Sequence, residues 1–342
     1  MIIPTKLYPP RTRSSLIPRP RLAKRLAGGL NCELTLVTAP PGYGKTALLS
    51  QWAAGAAERI AWISLDACDN DPMRFWMHNF TALEQAVLAF DVMNAMDLTG
   101  DPSGDSLLAM LINGLNRLAE PVIFIWDDFH YIENRSILLG VSYLVDRLPP
   151  HAHIFMTCRT RPSLPLSRWR AQEKLNELDV SDLRFTLDEA EQFFRLSGGL
   201  SLSPEQCAAV LDRTEGWIAG MRLAAMSLSR ADDPAAAIQN ITGRRRDFAG
   251  YFFEEVLSAQ PRERAQFLLN TSILQRMNAG LCEAVTGLAD CAGLLRELEQ
   301  ANPFLVPLDE EGYWYRYHHL FQQFLHMQLE TRHPESVGSL HA

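Results

Sequence analysis

A short apolar run, Leu34-Thr35-Leu36-Val37-Thr38, leads into Ala39-Pro40-Pro41-Gly42-Tyr43-Gly44-Lys45-Thr46, and a helix-like run follows from Ala47 to Ala57. No other stretch constrains the chain as strongly. Strand, glycine-containing turn, Lys-Thr and helix is the layout of a phosphate-binding P-loop, in which backbone N–H groups and a helix N-terminus face phosphate oxygens. On this reading Pro41, Gly42, Tyr43, Gly44, Lys45, Thr46 and Ala47 wrap the phosphates of ATP or ADP. Lys45 reaches the outer phosphates, and the Thr46 hydroxyl holds Mg²⁺. The first glycine usual in such loops is replaced by Ala39.

The chain has 342 residues, enough for two or three domains and a full core. Six cysteines (Cys32, Cys68, Cys158, Cys207, Cys282, Cys291) are scattered with no CxxC pair. That usage suits reduced thiols in a cytoplasm and argues against a disulfide frame or a zinc site. No apolar run reaches membrane-spanning length, and no signal-peptide pattern opens the chain. The net charge of −8 argues against a general nucleic-acid binder. Charge is uneven, however: residues 1–30 carry Lys6, Arg11, Arg13, Arg19, Arg21, Lys24 and Arg25 and no acid. Such a segment is either an arm folded against an acidic body or a nucleotide, or a solvated basic tail.

Along the first half, strand-like and helix-like runs alternate. Ile60–Leu65, Val122–Trp126 and Ile154–Cys158 read as strands. Met73, Trp76, Phe80, Leu83 and Val87 recur at helical spacing, Asp101–Asp105 reads as a loop, and Ser106–Leu118 and Ser136–Arg147 read as helices. Continuous apolar strands separated by helices predict a parallel sheet covered on both faces, with ligands at the carboxyl ends of the strands. The second half loses the strands. Leu187–Leu196 reads as a helix, Ser203-Pro204-Glu205-Gln206 as a capped helix start, and Thr214–Ser227 as a further helix. Phe304–Leu308 and Tyr313–Tyr317 flank Asp309–Gly312 as a hairpin, and His318 opens a last helix. Helices followed by a hairpin predict a winged helix. Between Met277 and Leu295 there is no Lys or Arg, so this module is expected to be structural or switching, since a DNA-reading helix needs cations for phosphates. Leu196-Ser197-Gly198-Gly199-Leu200 looks like the ABC-transporter signature, but it follows the acidic strand instead of preceding it, and reads as a helix end closed by glycines.

The acid pair Asp127-Asp128 ends the Val122–Trp126 run, where a P-loop ATPase places its Mg²⁺-directed carboxylate. Asp127 takes that metal role, and Asp128 is placed to deprotonate or orient the attacking water. This is the ATPase layout with an extra strand between the P-loop strand and the acidic strand (the ASCE type). Arg159, at the end of the next strand, is placed to face a terminal phosphate. Arg244-Arg245-Arg246 reads as a solvated linker.

These motifs in this order resemble the STAND class of signal-transduction ATPases, and within it the MalT-like regulators, the large ATP-binding LuxR family of transcriptional regulators. The likeness is carried by Thr5–Leu7, Ile17–Leu22, Ala39–Thr46 with Leu49–Trp52, Ala61–Asp66, Asp127–His130, Arg159–Pro162, Leu183–Thr186, Glu215–Gly220 and Tyr317–Phe321. It spans nearly the whole chain. The family usually has Tyr where Phe129 stands, and Ala39 is common there. The resemblance implies that Ile17, Pro18 and Arg19 pack on adenine. It implies that Arg159 is a sensor arginine and that Gly216, Trp217 and Gly220 close over the nucleotide, Trp217 serving core packing as well or instead. It also implies that His318 touches the β-phosphate of ADP, with His319 as the neighbour that could take that role.

The expectation is therefore an α/β P-loop NTPase domain over residues 1–185, an α-helical domain over 186–244 and a winged-helix domain over 245–333, with a tail at 334–342. The expected function is a cytoplasmic, Mg²⁺-dependent nucleotide switch, monomeric and closed with ADP, homo-oligomeric with ATP, hydrolysing slowly. The resemblance implies that a helical-repeat sensor and a LuxR-type DNA-binding domain follow Arg332 in relatives. Inducer, promoter DNA and RNA polymerase would be met only through those domains, and this chain would be a fragment without them. The rival expectations are a stand-alone ATPase or small-molecule kinase, an oligomeric AAA+ motor, and a nucleotide-independent scaffold.

Overall fold

The computed structural model describes residues 3–11, 16–87, 104–118, 120–198, 200–301, 304–309, 311–335 and 340. Arg13, Gly199 and Glu310, and Asp101–Ser103 of the anticipated loop, lie outside the described residues. The chain divides into two compact units, one of Met1–Ala39 with Gly44–Leu183, the other of Pro40–Tyr43 with Arg184–Ala342.

The first unit is built on a parallel sheet of β1 (Leu34–Thr38), β2 (Arg59–Ser64), β3 (Val122–Asp127), β4 (Ala152–Cys158) and β5 (Leu175–Leu178), in the order β2-β3-β4-β1-β5. β4 thus separates the P-loop strand from the acidic strand, with Leu36 level with Met156 and Ile125 with Phe155. Every residue of β3 and β4 is buried, which is why both read as continuous apolar runs. β5 was not anticipated: it is a four-residue edge strand containing Asn176 and Glu177, too short and polar to show a periodic signal. The helix Pro72–Ala86 lays Phe75, Trp76, Phe80 and Leu83 into a core shared with Leu107, Leu111, Ile137 and Val141. Burying an indole N–H demands a partner; Trp126 Nε1 donates to Asn79 Oδ1 at 2.8 Å, and Asn79 in turn donates to the Phe75 carbonyl.

Part of the basic N-terminal segment is folded onto acids. Leu7 is buried, and Lys6 Nζ lies 2.7 Å from Asp66 and 2.6 Å from Asp69. Burial pushes the Asp69 carboxyl up, but His78 and Lys6 outweigh it and hold the group down to about 2. Arg25 pairs with Asp182 at 2.8 Å.

The second unit is helical up to a small hairpin. Its helices include Leu187–Gly198, Pro204–Thr214, Ile218–Leu228, Arg246–Phe252, Arg262–Thr271, Ala279–Thr286 and Cys291–Ala301. The anticipated capping box is present: Ser203 accepts from Gln206 N, and the Gln206 side chain accepts from Ser203 N. The single helix expected over Thr214–Ser227 is corrected. One helix ends at Thr214 and the next begins at Ile218, because Glu215 (φ 48°) and Gly216 (φ 70°) are left-handed and Trp217 is extended. The hairpin of β6 (Leu305–Pro307) and β7 (Tyr315–Tyr317) is shorter than expected. Asp309 accepts from the amides of Tyr313 and Trp314, both at 2.8 Å, and so extends the turn. The last helix, His319–Arg332, is N-capped by His318. Arg244 is exposed but pairs with Glu330 at 2.8 Å, so the anticipated linker is tethered. Among the described residues no helix is long and apolar enough to cross a membrane.

Candidate functional site

The anticipated site residues fall into two sets, one in each unit. In the first unit β1 ends at Thr38, and Gly44, at φ 75°, caps the helix Lys45–Ala53. Only glycine adopts that backbone without strain. Lys45 is buried, and its ammonium donates to the Ala39 carbonyl at 2.7 Å. Burial, helped by Arg159 and opposed by Asp128 and Asp127, pulls its pKa down to about 8. Thr46 Oγ1 donates to Asp127 Oδ1 at 3.0 Å. The hydroxyl and carboxylate that sequence reading assigns to one Mg²⁺ therefore meet directly, although they stand on different elements. Hard oxygen donors of this kind fit that cation.

Asp127 is buried, and burial together with the charge of Asp128 pushes its pKa up to about 6. Thr157, from β4, organises both acids: its Oγ1 donates to Asp127 Oδ1 at 2.7 Å and accepts from the Asp128 amide at 2.8 Å. Asp128 adopts a left-handed backbone (φ 58°) with its side chain 38% exposed, so it turns out of the sheet where Asp127 stays in. His130 Nδ1 stands 3.6 Å from Asp128 Oδ1. Burial and the nearby charges of Arg159 and Lys45 push that imidazole down to about 3, so it is neutral near pH 7. Arg159 follows the end of β4 and acts electrostatically on both Lys45 and His130. Lys45, Thr46, Asp127, Asp128 and Arg159 are thus brought together. Ala47 lies half-buried in the first turn of the helix. Ile17 and Arg19 are buried and Pro18 is exposed, where the chain enters the helix Pro20–Gly28. Thr157 was missed as a site residue. Its one sequence signal is a hydroxyl in an otherwise apolar strand segment.

The other set lies in the second unit. The carbonyl of Pro41 accepts from Trp217 Nε1 at 3.1 Å, and that of Gly42 from the Ala219 amide at 2.9 Å. At Gly42 (φ 81°) a Cβ would stand 2.6 Å from both Ala219 Cβ and Tyr251 Oη, so the position excludes any side chain. Tyr43 is buried, and burial raises its phenol despite a hydrogen bond with Arg184. Trp217 is fully buried, stacked on Phe252 at 5.2 Å and edge-on to Phe304 and His318.

Glu215, which the sequence showed only as part of a motif, proves to be a hub. It takes Arg316 in a two-pronged pair at 2.9 and 2.8 Å, His319 Nδ1 at 3.0 Å, the His319 amide at 3.2 Å, and Arg184 at 3.6 Å. Burial pushes its carboxyl up, but His319 and Arg316 hold it well below the usual range. His318 is buried, and burial lowers it to about 4. Its Nε2 bonds the Thr214 carbonyl at 3.1 Å, which requires that nitrogen to carry the proton, and Nδ1 makes no hydrogen bond. Glu215, His318 and His319 offer atoms within 4.8 Å of one another that could ligate a metal. Two guanidinium groups already on that carboxylate oppose a further cation there.

Comparison with known proteins places these motifs. Residues 253–337 match the family model of the MalT winged helix domain. The HTH-type transcriptional regulator MalT of Cronobacter sakazakii is 33% identical over 349 residues, covering 100% of this chain and 38% of that protein. The serine/threonine-protein kinase PknK of Mycobacterium tuberculosis is 31% identical over 344 residues, covering 98% of this chain and 31% of that protein. The chain therefore spans about a third of the length of these curated relatives. Among solved structures, the Walker-type ATPase PABY2304 of Pyrococcus abyssi shares the fold at TM-score 0.61 and 15% identity, over 93% of this chain and 98% of that one. A STAND protein with a tetratricopeptide-repeat sensor from Pyrococcus horikoshii does so at 0.51 and 17%, over 98% of this chain and 48% of that one.

Proposed function

Starting from the premise that this chain is a MalT-like STAND-class P-loop protein, we propose that it is the nucleotide-binding switch of a cytoplasmic transcriptional regulator of the LuxR family. ATP and ADP are its ligands, with Mg²⁺. The observation that carries this reading is the Thr46–Asp127–Thr157 hydrogen-bond chain beside Lys45, at 3.0 and 2.7 Å. It joins the loop that would hold phosphates to the carboxylate that would hold their metal. The P-loop domain is assigned to 1–185, the helical domain to 186–244 and the winged helix to 245–333.

Bound Mg²⁺ would supply charge neutralisation at the outer phosphates. Thr46 and Asp127 would hold it. Lys45 leaves the Ala39 carbonyl for phosphate oxygens, and Arg159 reports whether a terminal phosphate is present. Asp128 orients and deprotonates the attacking water, so hydrolysis resets the switch slowly. Ile17, Pro18 and Arg19 line the purine. The grip of Trp217 and Ala219 on the Pro41 and Gly42 carbonyls supports a loop whose ligand state is felt in the second unit. His318 contacts the β-phosphate of ADP in a closed monomer, and ATP favours an open form that self-associates. Such a switch requires different affinities for the two forms. Inducer, promoter DNA and RNA polymerase are met by other parts of the regulator.

Purified protein should release ADP on heating, seen by ion-exchange chromatography, and Lys45→Ala should release none. A wild-type protein without nucleotide that also fails to bind added ADP would overturn the reading.

A further inference from the structure

The hydrolytic step assigned to Asp128 needs a carboxylate held in one orientation. The backbone of Asp128 is held by the Thr157 bond at 2.8 Å, but that bond does not reach the side chain, which is 38% exposed. His130 stands opposite. Its Nδ1 is buried and makes no hydrogen bond, with Asp128 Oδ1 at 3.6 Å, just beyond bonding distance. A buried ring nitrogen left in this state needs an explanation. The ring itself has little room to move. It belongs to the single turn Phe129–Tyr131, and Tyr131 packs against it at 4.3 Å. Phe129, next to it, is fully buried and stacked on Trp126 at 5.6 Å. The carboxylate is the less enclosed member of the pair, and catalytic hydrogen bonds commonly tighten only once substrate is bound.

We propose that His130 is a positioning residue for Asp128, its Nδ1–H donating to Asp128 Oδ1 and leaving Oδ2 directed at the attacking water. This rests on the hydrolytic role given to Asp128 above. In the step, the water oxygen bonds to the terminal phosphorus. The bond to the bridging oxygen breaks, its electrons leaving with the diphosphate. The water proton passes to Asp128 Oδ2, and the His130 proton stays on nitrogen. A neutral imidazole suits this task, because a neighbouring charge would compete with Lys45 and Arg159 for the phosphate.

The test uses His130→Ala, His130→Asn and His130→Gln in the whole chain, with single-turnover ATP hydrolysis and the Kd of a fluorescent ADP analogue as readouts. His130→Ala should slow hydrolysis by about ten- to a hundredfold, as a misplaced catalytic group does, and leave the ADP Kd within about twofold, because only the chemical step has lost an interaction. Asn places an amide N–H close to where Nδ1 stands and should restore most of the rate. Gln carries its amide one bond further and should not. In an Asp128→Asn background, His130→Ala should cost nothing more. Unchanged hydrolysis in the Ala variant overturns the proposal. So do equal defects in Asn and Gln, or a parallel loss of ADP affinity. A wild-type chain that binds ATP without hydrolysing it overturns this proposal and leaves the switch intact, whereas failure to bind any nucleotide removes the reading beneath both.

Discussion

Lys45 shows how much a motif residue depends on its surroundings. Its ammonium is folded back on the Ala39 carbonyl and held down to about 8 by burial. Phosphate needs the protonated form, so the sign of the pH effect is fixed. Below about 8 the free protein is already charged. Above it, binding must take up a proton, and the ADP Kd should rise towards tenfold per pH unit. Titration of a fluorescent ADP analogue in buffers on either side of that value will check this, and a flat profile would place Lys45 away from the phosphates. The types and spacing of Lys45, Thr46, Asp127 and Asp128 were legible in sequence, because they match the groups that phosphate and metal chemistry calls for at a helix start after a glycine turn and at the end of an apolar strand. Thr157 was not, since a threonine in a strand also satisfies β-propensity alone. Its bonds to Asp127 and Asp128 arise only because β4 lies between β1 and β3.

The elements that sequence periodicity renders best are those buried on both sides, β3 and β4, and the capped helix at Ser203. It fails at 215–217, where apolar spacing continues across a break made by two left-handed residues. That break carries Glu215, whose carboxylate ties the end of the Pro204–Thr214 helix to β7 through Arg316 and to the last helix through His319. Glu215→Gln keeps the shape and removes the charge, leaving two guanidinium groups poorly matched. It should cost about 1–3 kcal/mol, below the value for a fully buried pair because Arg316 is partly exposed. Denaturant unfolding would measure it, and an unchanged midpoint would show that the hub contributes nothing net. Because the folded carboxyl is held well below the ordinary carboxylate range, its contribution is complete above that range and is lost as pH falls through it, towards the folded value.

At the scale of the whole molecule, the net charge of −8 coexists with a basic N-terminal segment that is partly neutralised internally, by Lys6 on Asp66 and Asp69 and by Arg25 on Asp182. The proposed switch makes a further prediction here. Light scattering should give a monomer mass with ADP and a larger assembly with a non-hydrolysable ATP analogue, and identical masses in both would argue against nucleotide-driven association. The fold class, and the residue types proposed to meet phosphate and metal, were legible from the sequence alone. Apolar runs, glycine turns and an acid pair at a strand end are local features with few alternative uses. Which side chains surround the candidate site emerged only from the packing of strands and helices. That packing made Thr157 the link between the two acids, set His130 opposite Asp128, made Glu215 a hub, and grouped Pro40–Tyr43 with residues 184–342. Apart from His130 and Asp128, which share one turn, these pairings join residues far apart in sequence, such as Asp128 with Thr157, 29 positions away, and Trp217 with Pro41, 176 positions away, and no local pattern encodes them. They follow from strand order and from the need of buried polar groups for partners.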